Sequence, residues 1–161
     1  MNQLLHVSAS PHIKDRVTTS SIMLDVIIAL IPATLFGIIQ FKINALLIIV
    51  TTITTCVLAE YLYERFMKKT ITIKDLSAVV TGLILALNLP STVPLWLPVI
   101  GGLFAIIVVK QFYGGLGQNF MNPALAARCF LLISFTGRMT NFVFDGMTSS
   151  TPLAILKNGE S

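Results

Sequence analysis

Residues 21–41 read SIMLDVIIALIPATLFGIIQF, twenty-one positions carrying one charge, Asp25. A helix of about 20 apolar residues crosses a hydrocarbon core about 30 Å thick, so this stretch predicts a membrane span. Pro32 lies near its middle and predicts a kink, because proline removes one backbone hydrogen bond and crowds the preceding turn. After a short turn around Lys42 and Asn44 comes INALLIIVTTITTCVLAEYLY, residues 43–63, a second span of the same length. Composition agrees with both. Of 161 residues, 55% are hydrophobic and 11% charged, with a mean hydropathy of +0.85. Soluble domains carry roughly 25% charge, so a polar surface large enough for a soluble protein is missing.

The net charge of +4 does not indicate a nucleic-acid binder, because the basic residues cluster between apolar runs. Lys14 and Arg16 precede the first span, and Arg65, Lys68, Lys69 and Lys74 follow the second, with Lys42 alone between them. The positive-inside rule therefore places the N-terminus and residues 64–75 in the cytoplasm. The N-terminal sequence MNQLLHVSASPHIKDR has no apolar stretch of the signal-peptide kind. Glu60 and Lys110, at span ends, are expected to snorkel or anchor, with no chemistry assigned.

Beyond residue 75 the pattern changes. DLSAVVTGLILALNLP, residues 75–90, is apolar for only about a dozen positions, short of an ordinary span. Pro90, Pro94 and Pro98 interrupt the chain before IGGLFAIIVVKQF runs back to Lys110. Glycines 114, 115 and 117 open the next segment, in which Asn122-Pro123 has the form of an N-cap followed by proline at the first helical position. Interrupted apolar segments predict discontinuous helices, whose irregular backbone must be buried in protein or line a cavity. The expected fold is thus all-α and membrane-embedded, with about five transmembrane segments. Counting passages puts residues after Phe135 outside the cytoplasm.

Asp25 and Arg128 are ionisable residues inside apolar runs and hence candidates for function, or else for pairing with polar groups of neighbouring helices. Asn119 and Asn122 sit in the glycine-rich break, where backbone amides can hold an anion or merely start a capped helix. Cys56 and Cys129 are far apart and fit small thiols packed in apolar segments rather than a zinc site or a disulfide. No hydrolase, zinc-protease or nucleotide-binding loop motif is present in the chain. His6 and His12 belong to the polar N-terminal arm. The last polar stretch, DGMTSSTPLA at 145–154, ends in Thr151-Pro152, which locally is a helix cap. A helix start also favours a phosphate.

Taken together, SPHI at 10–13, DVIIALIPA at 25–33, DLSAVVTGLILALNLP at 75–90, GGLGQNFMNPALAAR at 114–128 and DGMTSSTPLA resemble the N-terminal half of the RnfD/NqrB family. RnfD is the better likeness, since SPHI lies near the N-terminus. The resemblance implies one repeat of a two-repeat helical bundle, with a second repeat absent from this sequence. It implies a membrane subunit of an Rnf complex, an ion-translocating ferredoxin:NAD+ oxidoreductase of the bacterial inner membrane, not catalytic alone. The alternatives are an NqrB-type subunit of a Na+-pumping NADH:quinone oxidoreductase and a small-solute channel or transporter.

The family's attachment motif is similar to D-x-x-[ST]-G-A-T, and its last threonine is esterified to the phosphate of FMN by an ApbE-type transferase. Here it corresponds to Asp145, Thr148, Ser149, Ser150 and Thr151, with Ser149 and Ser150 replacing glycine and alanine. Thr151 would carry covalent FMN on the extracytoplasmic side, with Asp25, Arg128, Asn119 and Asn122 as further candidates around it. The implied partners are the other Rnf subunits (membrane, flavin and iron–sulfur), the transferase, lipid, and Na+ or H+. The implied division is a cytoplasmic arm at 1–19, a helical bundle at 20–137, and an attachment loop with the start of a further helix at 138–161.

Overall fold

The computed structural model describes residues 18–69, 71–140, 142–144 and 147–149. Its first element, α1 (Thr19–Phe66), is 48 residues long and broken at one residue, Lys42, with φ 53° and ψ −134°. Thr18 caps its start, its hydroxyl accepting from the Ser21 amide at 3.3 Å. The break divides α1 into arms 19–41 and 43–66, each roughly 35 Å long at the α-helical rise, enough to cross a bilayer. They fold back on one another: Ser20, at the start of the first, donates to the Lys74 carbonyl just beyond the second at 2.5 Å. The turn expected around Lys42 and Asn44 is there, while the backbone at Pro32 keeps helical φ/ψ. Threonines along α1 stay helical because their hydroxyls bond back one turn, Thr51 to Leu47, Thr52 to Ile48 and Thr55 to Thr51 at 2.6–2.7 Å.

Four short helices complete the bundle: α2 (Ser77–Leu87), α3 (Trp96–Leu103), α4 (Pro123–Ser134) and α5 (Thr136–Met139). A 3-10 turn, Ile73–Asp75, leads into α2, and α3 continues without interruption as a π-helical segment, Phe104–Gln111. Pro98 falls in the first turn of α3, where its missing N–H leaves no bond unmade, so it belongs to the helix rather than to the break before it. Asn122 caps α4 as the sequence predicts, accepting from the Ala124 and Leu125 amides. A small antiparallel pairing follows, β1 (Phe142–Phe144) with β2 (Met147–Ser149), Val143 opposite Thr148. The all-α expectation therefore holds for the bundle, while part of the expected attachment loop is strand.

The core lies where α2 crosses the second arm of α1, with α3 and α4 closing around it. Ile48, Ile49, Leu83, Ala86, Val93, Leu97, Leu131 and Met139 form its largest cluster. Small residues let the backbones approach, as is usual between membrane helices. A Cβ on Gly82 would stand 2.8 Å from Ile53 Cα, whereas one on Gly101 would meet only side-chain atoms, the tips of Leu131 and Leu85. Gly82→Ala is therefore expected to cost about 1–3 kcal/mol from overpacking, and Gly101→Ala less. Thermal unfolding of the two variants in detergent checks the order.

The connections gather at two ends. At one, Thr18, Thr19, Ser20, Thr72, Lys74, Asp75 and Leu116 line an open groove of about 420 Å³. At the other, Asn44 of the α1 turn meets residues 91–95, and Trp96 packs edge-on against Phe135 with Arg138 over its ring. The connections thus alternate between the two ends along the chain.

Candidate functional site

The most concentrated polar chemistry among the described residues lies near the first of these ends, inside the bundle. Glu60, Glu64, Ser77, Lys110 and Gln111 are all at most 3% exposed. Lys110 Nζ donates to Glu60 Oε1 at 2.5 Å and to Ser77 Oγ at 2.6 Å. Gln111 Nε2 donates to the same Glu60 oxygen at 3.1 Å. Glu60 Oε2 is buried without a hydrogen-bond partner. One turn along α1, Glu64 accepts from the Thr72 amide at 3.0 Å and from the Thr72 hydroxyl. Ser77 also donates to Asp75 Oδ1 at 2.5 Å, and the Ser77 amide bonds the same oxygen at 2.8 Å.

Local structure explains the convergence. Glu60 and Glu64 are four apart on one helical arm and share a face. Leu76, at φ 63°, turns the chain so that Asp75 caps the amide of Ser77 at the start of α2. The π segment closes i→i+5 bonds, such as Phe112 N to Ile107 O at 3.1 Å. Its wide turn lets the consecutive residues Lys110 and Gln111 both reach Glu60. The expectation that Glu60 and Lys110 snorkel to an interface is therefore corrected: each is the other's partner in the interior. Around them lie Cys56, Ala59, Ala78 and Ile106, which keep water out.

The residues singled out from sequence do not form one site. Asp145, Ser150 and Thr151 lie outside the described residues, as do His6 and His12. Thr148 is in β2. Ser149, also in β2, is not among the left-handed residues, so the glycine it replaces in the family motif is not required there for positive φ. On that observation Ser149 is compatible with the family's attachment motif at its own position. Arg128 donates to Asn88 Oδ1 at 2.8 Å, and Asn88 in turn donates to the Ile84 carbonyl at 2.8 Å. The guanidinium thus holds the C-terminal end of α2, where a cation suits the helix dipole.

Asn122 is engaged as the α4 cap, and Asn119 Oδ1 is buried without a partner. Asp25 is exposed on the first arm, bonded to nothing among the described residues. Cys56 is buried as expected, whereas Cys129 is exposed and lines an apolar groove of about 530 Å³ with Phe104, Tyr113 and Phe120. Among the described residues no cluster of His, Cys, Asp and Glu is suited to a metal.

Comparison with known proteins places this architecture. Over its full length the chain is 50% identical to the D component of the Na(+)-translocating ferredoxin:NAD(+) oxidoreductase complex of Acetobacterium woodii, of which it covers 52%. Over 94% of its length it is 42% identical to the D component of the proton-translocating ferredoxin:NAD(+) oxidoreductase complex of Clostridium ljungdahlii, covering 47% of that protein. The D component of the ion-translocating oxidoreductase complex of Shewanella denitrificans is 42% identical over 85% of the chain, which covers 40% of it. The chain thus spans about half the length of the curated relatives it matches. The NQR2, RnfD, RnfE family model matches residues 6–161, and the chain belongs to that family.

Proposed function

We propose that this chain forms the N-terminal part of a membrane subunit of an ion-translocating ferredoxin:NAD+ oxidoreductase complex, and that Thr151 bears FMN through a phosphoester. What carries the proposal is the similarity along the whole chain to the D components of two such complexes, at 50% and 42% identity. Bound FMN supplies the electron-carrying chemistry. The chain's own part is to supply the Thr151 hydroxyl as the point of attachment. The end bearing Arg65, Lys68, Lys69 and Lys74 faces the cytoplasm by the charge bias. Residues 136–140, at the opposite end, then face outward, on the side where an ApbE-type transferase acts. The coupling ion is Na+ or H+, the two ions in the relatives' names. The protein works with the other Rnf subunits in the inner membrane and is not catalytic alone.

The test is co-expression with an active ApbE-type transferase, followed by a denaturing gel viewed under ultraviolet light. A fluorescent band at the mass of the chain supports the flavin carrier. Its absence, with the same transferase loading a second target, overturns it in favour of a channel or a membrane component without its own cofactor.

A further inference from the structure

We propose that Asp75, Ser77, Lys110 and Glu60 form a proton relay leading from the groove at one end of the bundle to a terminal acceptor in its interior. The four groups are bonded in series, Asp75 Oδ1 to Ser77 Oγ at 2.5 Å, Ser77 Oγ to Lys110 Nζ at 2.6 Å, and Lys110 Nζ to Glu60 Oε1 at 2.5 Å. All three links are within hydrogen-bond distance, so no water is needed to bridge them. Asp75 lines the open groove, whereas Glu60 is fully buried, so the series joins solvent to interior.

Two features go beyond what a structural ion pair requires. Glu60 Oε2 is buried with no partner, leaving an acceptor atom at the inner end of the series. Ser77 both accepts from Lys110 and donates to Asp75, the amphoteric link that a relay needs and a lysine anchor does not.

The transfer balances. Lys110 Nζ gives a proton to Glu60, breaking an N–H bond and forming an O–H bond. The hydroxyl of Ser77 turns to Lys110 and passes its proton to the vacated nitrogen. Ser77 Oγ takes a proton from the Asp75 carboxyl, which water in the groove has protonated. One proton has then moved from the groove to Glu60, Lys110 is again an ammonium, and no electron has moved. The titratable and charged groups facing Glu60 are Cys56 and Glu64 on its own helix, Asp75 on the 3-10 turn and Lys110 on the π segment.

The relay goes beyond the electron-carrying role and does not depend on it, so its test needs no flavin and no other protein of the complex. The full chain is placed in lipid nanodiscs, protons are released by a light flash from a caged acid, and the carbonyl band of protonated carboxyl groups is followed by time-resolved infrared absorption. Glu60→Gln identifies the Glu60 band by its loss. The expected result is that Ser77→Ala and Asp75→Asn slow the rise of that band on the order of tenfold or more, at unchanged final amplitude. Asp75→Asn keeps an acceptor for the Ser77 amide, and Ser77→Thr, which keeps the hydroxyl, retains the wild-type rate and shows that slowing is not loss of fold. The absence of a Glu60 band, or rates unchanged in both Ser77→Ala and Asp75→Asn, would overturn the relay.

Discussion

Thr151→Ala is expected to abolish covalent flavin loading completely, while Ser150→Ala and Ser149→Gly retain it. A phosphoester needs a hydroxyl, and alanine has none to offer. The neighbouring hydroxyls of Ser149 and Ser150 do not substitute, because the motif places the bonded oxygen directly before Pro152. Proline at that point fixes φ and favours a helix start, whose free N–H groups and dipole suit a phosphate. Ser149 is in β2 with no left-handed backbone, so restoring glycine there is expected to leave loading intact. The measurement is in-gel fluorescence, normalised to protein stain, for wild type and the three variants. Fluorescence retained in Thr151→Ala and lost in Ser150→Ala would move the ester to Ser150.

Lys110→Met is expected to lower stability by about 3–5 kcal/mol, since it strands the Glu60 carboxylate without the ammonium that balances it. Glu60 would keep only the Gln111 amide as donor, and Ser77 would lose the group that donates to it. The double variant Glu60→Gln/Lys110→Met is expected to recover most of that loss, because neither residue then carries a charge that needs water. Chemical unfolding in detergent micelles gives both numbers and their coupling. A double variant no more stable than Lys110→Met would mean that the pair is not what holds these groups in the interior.

The contrast between these two sites shows what the sequence alone can carry. Spans, breaks and the Asn122-Pro123 start are local patterns, encoded within a turn or two of helix, and they appear where the pattern puts them. The Glu60–Lys110 pair is fifty residues apart, and at each position a charge ending an apolar run looks the same whether it snorkels or is buried. Only the crossing of α1 with the π segment distinguishes the cases, and no periodicity announces a π turn in FAIIVVKQ. The available signal was the opposite sign of two charges, each at the same end of its span, with an amide beside one of them. Proline misled in a related way. Pro32 is carried within a helix and Pro98 starts one, whereas the reversal falls at Lys42, inside the turn that the polar residues Lys42 and Asn44 mark between two apolar runs.

That reversal bears on how the chain enters a bilayer. With a single non-helical residue between the arms, insertion as one folded-over pair is the expected route. The leading tip carries one ammonium, Lys42, and the amides of Gln40 and Asn44 through the hydrocarbon. A charge at mid-bilayer costs about 2.5–3.5 kcal/mol on insertion scales, and two apolar arms behind it outweigh that many times over. Biogenesis would thus begin with a hairpin pushed tip-first, after which the shorter helices are laid against a wall already in place.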